Sequence, residues 1–447
     1  MNMISNPPAI LICGGGFAGA LLAIRLLDTA TAPLSVIVVE PRATVGRGVA
    51  YSTVEDVHLV NGPASHFSLY PEDPLHLADW LRGQGHTGDV AEAFIPRRLF
   101  GTYVETELDR AIRESRASFT HLRAEVVALR RQPHGLEARL SSGAKVHAAR
   151  AVLATGVHPL GGIAQGAVHP WDAAAMDGLA DARDVLIVGA SLSMVDAVAS
   201  LESRGFRGHI HAISRRGHLI EPRRVVPDIP PFLPDPLPTT ARGLLSAVRA
   251  EHRRILADGG DWQALPPALR GDVLPLWQGA PMAERRRFNR HLRSLWDVMA
   301  HRAAPPSFAA LERARAEGRF TARAARLVRV GQGEAHLRLR RGGELHLQVD
   351  GIIDCRGHQE HDWRRIDAPL VRDLIAQGLA VPHPSGFGIR AQGLAVVGLN
   401  GTAPGDLFAL GHPMRGEAWE SSSIPEQVAQ GSALAALLRQ SLRQLAL

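Results

Sequence analysis

The chain has 447 residues, 45% of them hydrophobic and 21% charged, a composition that fits a soluble globular protein with two or three cores. Its net charge of +6 rests on arginines scattered along the sequence, with no basic, aromatic-interleaved face, which speaks against nucleic-acid binding and fits small anionic ligands. The two cysteines, Cys13 and Cys355, lie far apart without a C-x-x-C, so neither a redox dithiol nor a thiolate metal site is expected, and inert thiols in a reducing cytoplasm are.

Ala9–Cys13 is an apolar β-type run that breaks into Gly14-Gly15-Gly16 and passes straight into a helical pattern of Ala and Leu. A strand, a tight turn and a helix N-terminus are predicted there. Gly14, Gly16 and Gly19 have the G-x-G-x-x-G spacing: the first for the turn, the second for close approach of a pyrophosphate, the third for helix against strand. The exposed N–H groups and the positive helix end then bind phosphate, with Phe17 and Ala18 opening the helix beside it. A second apolar strand, Ser35–Val39, ends in Glu40, about 21 residues after Gly19, where a carboxylate would bind ribose hydroxyls. Arg25 and three glycines within Ala9–Leu27 argue against a membrane span. The first strand lies so close to Met1 that no secretory leader is expected.

Loops at the carboxyl ends of parallel strands carry ligand contacts, so Arg47, Asn61 and Ser68 are candidates for the cofactor or substrate face. Phe94–Tyr103 opens a helix that should run to about Arg116, with Pro96 near its first turn. The β-type segments Ala124–Arg130, Leu136–Leu140 and Lys145–Ala148 read as a meander. It leads into Ala151–Gly156, where Thr155 and Gly156 form a small-residue turn that lets a dinucleotide lie close.

A linker with Pro159, Gly161, Gly162, Pro170 and Trp171 marks a boundary near 160–182. The opening pattern then recurs: the strand Asp184–Val188, the turn Gly189-Ala190-Ser191, and a helix from Leu192 that includes Ser193. Ser191 and Met194 stand where the second and third glycines would fall. The next β run, His209–Ile213, ends in Ser214-Arg215-Arg216-Gly217, and arginine at that tip suits a ribose 2′-phosphate, favouring NADPH over NADH. In the region of about 220–320, Met282–His301 reads as a basic helix packing an apolar stripe. Ala325–Val330 and His336–Leu347 read as strands, and Val349–Gly357 parallels Ala151–Gly156. His358-Gln359-Glu360-His361-Asp362 does not have the H-E-x-x-H spacing, so no metal site is expected. A β run ending at Gly411 returns late, positioned to rejoin the first domain, and a helix from about Ser423 to Leu445 closes the chain.

Taken together, these motifs resemble the two-dinucleotide-binding-domain flavoproteins, specifically bacterial FAD/NAD(P)-binding proteins related to the class B and N-hydroxylating flavin monooxygenases. The resemblance rests on Gly14–Gly19 with Glu40, Gly48–Ser52, His58–Ala64, Phe94–Tyr103, Ala151–Gly156, Gly189–Asp196 with Ser214–Gly217, Arg285–His301 and Leu407–Glu420. It implies an α/β fold of two Rossmann-like domains, the NAD(P)-binding domain (181–357, with a helical insertion at about 220–320) inserted into an FAD-binding domain (1–180 and 358–447). FAD would lie on Gly14, Gly16, Gly19 and Glu40, NADPH on Gly189, Ser191 and the Arg215–Arg216 region, and Gly411 beside the flavin. Arg356 and His412 depart from the residues usual at their positions.

The implied activity is an NADPH-driven monooxygenase that passes one oxygen of O₂, through a peroxyflavin, to an amine nitrogen or sulfur of a small, amino-acid-like substrate. Asn61, Arg97, His412 and Arg415 are its candidate substrate-side residues. Two alternatives stay open: an NAD(P)H-dependent flavin reductase or oxidase that inserts no oxygen, and a non-catalytic flavin-binding interaction module.

Overall fold

A computed structural model describes residues 7–158, 161–331, 333–357 and 362–445. Ala9–Cys13 pairs in parallel with Ser35–Val39 on one side and Arg150–Leu153 on the other. Ile10, Leu11 and Ile12 are fully buried, as expected of a central parallel strand covered on both faces. Ser118–Leu122 extends the sheet beyond Ser35–Val39. On the other edge Leu407–Ala409 pairs in parallel with Arg150–Leu153, followed by the short strands Ala395–Val396 and Ala391–Gln392. The late-returning segment thus completes the first sheet.

The second sheet lies between these two parts of the chain and repeats the same local order. Gly351–Asp354, Asp184–Val188, His209–Ser214 and Phe320–Gly331 run side by side in parallel, matching 150–153, 9–13, 35–39 and 118–122. One domain is therefore inserted in the other, as the sequence implies. The meander forms from Val126–Gln132, Gly135–Leu140 and Lys145–Ala148.

Two elements differ from expectation. His336–Leu347 is not one strand but a hairpin of Glu334–Leu339 and Glu344–Gln348, because Gly342 and Gly343 take φ of 95° and 89° and turn the chain. The basic helix is broken at Leu292 (φ −109°) into Met282–His291 and Arg293–Ala300. The helix Phe17–Asp28 is buried along almost its whole length, pressed between the first sheet and the helices Arg97–Glu114 and Ile424–Leu445. Burial on all sides is why its sequence reads apolar around the full circumference. Among the described residues no helix is long and apolar enough to cross a membrane.

Candidate functional site

The first turn is built by exclusion of side chains. Gly14 has φ 107° and donates to Val39 O at 3.0 Å, and a Cβ there would lie 2.4 Å from Ala154 O. A Cβ on Gly19 would lie 2.0 Å from Gly14 O. Gly16 precedes the helix, its N-terminus left without a side-chain cap, and faces Gly48 across 3.3 Å from its would-be Cβ to Gly48 Cα. Gly15, outside the fingerprint, is equally constrained: a Cβ would meet the Glu40 side chain at 2.6 Å. Glu40 is 4% exposed, and its Oε2 accepts from Gly15 N at 2.9 Å while Oε1 accepts from the Arg42 backbone and guanidinium at 3.1 Å each. A carboxylate has about four acceptor positions, so capacity remains for sugar hydroxyls.

The neighbouring strand end completes the cradle. Ala154 N donates to Cys13 O at 3.0 Å, and the buried Thr155 Oγ1 next to it has no hydrogen-bond partner among the described residues. Gly156 has φ 63° with open space where a Cβ would stand. Gly411 (φ 73°) comes within 3.5 Å of Ala18 Cβ by the same measure, after Leu410 N bonds Leu153 O at 3.0 Å. Glycines at the closest approaches, a bare helix N-terminus, a carboxylate at the strand tip and an orphaned hydroxyl fit a dinucleotide with its pyrophosphate over Gly16.

The second turn repeats this construction. Gly189 (φ 129°) donates to Ile213 O at 2.9 Å, and a Cβ would lie 2.1 Å from Cys355 O, the counterpart of the Gly14 contact with Ala154. Ser191 is the N-cap residue of the helix Leu192–Ser203, and Ser193 O accepts the Cys355 thiol at 3.3 Å. Met194, in place of a third glycine, is fully buried in the second domain's core. Both cysteines are buried; burial pushes Cys13 up to about 12 and Cys355 well above the ordinary thiol value, so neither is a thiolate at neutral pH.

The basic pair divides. Arg216 donates to His291 O at 2.6 Å and to Arg290 O, holding the carbonyl end of Met282–His291. Arg215 stays exposed at the strand tip, its guanidinium pushed below the usual value by partial desolvation and by Arg293, Arg326 and Arg216. An anion there would relieve that repulsion.

Several expected site residues are held elsewhere. Arg47 makes a two-pronged pair with Glu105 (2.9 and 2.6 Å) and donates to Arg98 O, fastening its loop to Arg97–Glu114. Ser68 Oγ bonds Tyr70 O and Asp73 O within its own turn. Arg97 pairs with Asp196 of the second domain at 3.1 Å, with Trp171 Nε1 on the same carboxylate oxygen at 3.0 Å. Arg415 is 6% exposed between the rings of Trp419 and Phe387, 4.6 and 5.5 Å from their centroids, and burial brings it down to about 10. His412 opens a short turn right after Gly411, and the half-buried Asn61 lies between the Leu59–Pro96 bridge and the turn Ala64–His66.

Local patterns gave no sign of the contacts between domains. His58 Nε2 meets Ser200 Oγ at 2.7 Å, Arg204 pairs with Glu55, and Ser307 Oγ donates to Val57 O at 3.0 Å. The helical insertion reaches the closing segment through two indoles, Trp296 Nε1 donating to Glu420 at 2.6 Å and Trp277 Nε1 to Gly416 O at 2.8 Å, while the helices Met282–His291 and Arg293–Ala300 bury no residue fully. The His358–His361 part of the rejected metal motif lies outside the described residues. Among the described residues His336, Glu344 and His346, on the edge hairpin of the second sheet, bring donor atoms within 4.8 Å of one another.

Residues 11–158 match the FAD-NAD(P)-binding family. A search of curated proteins gives no match. Among solved structures, the ornithine N-hydroxylase of Kutzneria sp. 744, with reduced FAD, NADP⁺ and L-ornithine, is 16% identical, with TM-score 0.63 over 98% of this chain and 100% of that one. The L-lysine 6-monooxygenase of Pseudomonas syringae is 17% identical, with TM-score 0.66 over 98% and 99%. The cadaverine monooxygenase of Erwinia amylovora, bound to FAD, is 12% identical, with TM-score 0.65 over 96% and 93%. Likeness at such identity is a likeness of fold, and the chain accordingly has the architecture of two dinucleotide-binding folds, with a match to the FAD-NAD(P)-binding family over residues 11–158.

Proposed function

We propose that the protein is an FAD-dependent, NADPH-driven monooxygenase acting on an amine nitrogen of a small, amino-acid-like substrate. The observation that carries this reading is one turn built twice with opposite charge at the strand tips. Glu40 lies beside the first turn and Arg215 beside the second, where they would sort a ribose diol from a ribose 2′-phosphate. Gly14, Gly16, Gly19 and the helix end behind them would hold the flavin nucleotide's pyrophosphate, Glu40 its ribose, and Thr155 Oγ1 a polar edge. Gly189 and Ser191 would hold the nicotinamide nucleotide. When bound, FAD supplies transfer of electrons from NADPH and activation of dioxygen; the protein positions the two and excludes water. No nucleophilic side chain is then required, in keeping with two buried, protonated cysteines. The amine preference is supported by the hydroxylases of ornithine, lysine and cadaverine that share the fold.

The test is spectroscopic and then chemical. Purified protein should be yellow, bleach with NADPH under anaerobic conditions, and on admission of air convert an amine to its hydroxylamine with one NADPH consumed per product. Bleaching followed by reoxidation, with peroxide and no hydroxylated product across amines and thiols, would identify an oxidase or reductase instead. Failure to take up FAD would overturn the reading altogether.

A further inference from the structure

A group of cations gathers where the segment leaving the second strand tip meets the first domain, faced by Glu92 and Asp261. The segment leaving the second strand tip bonds back to the second turn, Ile220 N to Ala190 O at 3.2 Å, and two residues later meets the chain at Ala303 in a parallel bridge with Pro222. Arg223 N donates to Ala303 O at 2.8 Å and Ala303 N to Glu221 O at 2.9 Å, so Arg223 and Arg302 flank one bridge. The fully buried Gln263 ties the two segments: its Nε2 donates to Pro222 O, its Oε1 accepts from Arg224 N, and its backbone oxygen accepts from Arg302 Nη1 at 3.1 Å. Arg302 is 6% exposed, and its Nε has no hydrogen-bond partner among the described residues.

The nearby acids are Asp261 and Glu92, and Glu92 partly offsets the charge on Arg223 and His66. Both oxygens of Asp261 are taken by Arg224, and the exposed Glu92 accepts from Ser65. Burial, then Arg223 and Arg224, bring Arg302 down to about 10, with Asp261 the opposing influence. From the first domain, His66 Nδ1 lies 3.3 Å from Arg223 Nη2. Burial, Arg223 and Arg270 lower the basicity of His66 against the opposing Glu92, and in the neutral ring whose Nδ1 accepts from Arg223 the proton is on Nε2. A run of ring contacts connects His66 to the first turn: Phe67 at 6.4 Å, then Phe100 at 6.2 Å, then Phe17 at 5.7 Å. Arg223 thus touches His66, while Arg302 stands across the Pro222–Ala303 bridge from it with an Nε unpartnered among the described residues. Of the three only Arg302 is buried, Arg223 being half-buried and His66 exposed, and a buried guanidinium is stable when an anion pairs with it.

We propose that Arg223, Arg302 and His66 form an oxyanion site where this segment meets the first domain, filled by the carboxylate of the amine substrate or by a phosphate of the nicotinamide nucleotide. The choice of these two ligands rests on the function proposed above; the site itself does not. The probe is inorganic phosphate, titrated calorimetrically into FAD-loaded protein, wild type and the variants Arg223→Gln and Arg302→Gln, with and without saturating NADP⁺. Loss of one charged donor should weaken the arginine-dependent phosphate binding about tenfold or more in each variant. Thermal melting provides a second readout: added phosphate should raise the melting temperature of wild type more than that of Arg302→Gln, whereas a merely structural arginine would leave the phosphate-induced rise the same in both.

Displacement of phosphate by lysine but not by cadaverine, with NADP⁺ present, assigns the site to a substrate carboxylate. Displacement by NADP⁺ assigns it to the nucleotide, and displacement by neither refutes both ligands. Equal phosphate binding in wild type and both variants overturns the site. None of these readings needs turnover, so an enzyme that hydroxylates no amine would leave them intact, and one that hydroxylates amines without any arginine-dependent anion binding would sink only this proposal.

Discussion

Arg97 joins the two domains, and breaking its contact with Asp196 should be felt in both stability and turnover. The pair is 3.1 Å long with side chains 14% and 4% exposed, and the Asp196 oxygen also receives the Trp171 N–H, over whose ring the Arg97 guanidinium sits at 5.1 Å. Removing one partner of a buried pair costs about 3–5 kcal/mol, because the other charge is left without its counterion. Arg97→Met leaves Asp196 with the indole alone, which places it at about 3 kcal/mol. Asp196→Asn leaves Arg97 with Leu59 O at 3.2 Å and partial access to water, so about 2 kcal/mol is expected. The double variant buries no unpaired charge and should lose about 2–3 kcal/mol rather than the sum. The coupling, about 2–3 kcal/mol, is read from a double-mutant cycle in urea denaturation. If Arg97 is a positioning residue, both single variants slow flavin reduction by NADPH similarly and the double variant is no slower. Additive stabilities, together with turnover lost in Arg97→Met and kept in Asp196→Asn, would refute this and return Arg97 to the substrate side.

Three other outcomes follow from the geometry. Arg215→Gln should reduce the preference for NADPH over NADH by about 10–100-fold, the value of a charge-assisted contact to phosphate, with little change in the NADH constants; a kinetic comparison of the two nucleotides measures it. Gly19→Ala sets a Cβ 2.0 Å from Gly14 O, so the helix must move off the turn and the protein should purify colourless, which absorbance at the flavin bands checks. His383, 4% exposed, is brought down to about 4 by burial and by Arg285 and Arg390, so the folded state binds its proton less readily than the unfolded chain does. The stability due to the neutral imidazole is complete above about pH 6.5 and is lost as pH falls from there toward 4, by at most about 3 kcal/mol. His383→Gln should flatten the melting-temperature profile across that window, and an unchanged acid slope would show that other groups set it.

The elements that define the fold were legible because each is a local pattern. Ala9–Leu27 carries its strand, turn and helix in one stretch, and the strand at Asp184 announces its repeat even with Met194 where a glycine is usual. The hairpin at Gly342-Gly343 was equally local, and reading His336–Leu347 as one strand overlooked two adjacent glycines that turn the chain. What stayed hidden depends on pairs distant in sequence. Arg47 looks available until Glu105 stands opposite it, and Arg97 until Asp196 does. Arg215 and Arg216 are indistinguishable as letters, yet one reaches the carbonyls of Met282–His291 and the other stays at the strand tip. No periodicity encodes such choices, because they are settled by where a separate helix ends.

The two turns, read as nucleotide sites, separate a generic part from a part that would discriminate. Gly14 and Gly189 are excluded from bearing a side chain by the same neighbour, a carbonyl of the adjacent strand end, at 2.4 and 2.1 Å from the would-be Cβ. That contact is set by the order of three parallel strands and is indifferent to the ligand. On the proposed function, discrimination would come one strand further out, where Glu40 is held rigidly by Gly15 N and Arg42 while Arg215 is crowded by Arg293, Arg326 and Arg216. A carboxylate fixed by backbone donors favours hydroxyls and repels a phosphate; a guanidinium among like charges favours the phosphate. Exchanging the tips alone, Glu40→Arg with Arg215→Glu, would not exchange the ligands. The Gly15 N–H that orients Glu40 has no partner in an arginine, and the three arginines around position 215 would pair with the new carboxylate and occupy it. Specificity at each tip would thus be a property of its surroundings, and Arg293 shows that the helical insertion, the least legible part of the sequence, supplies some of them.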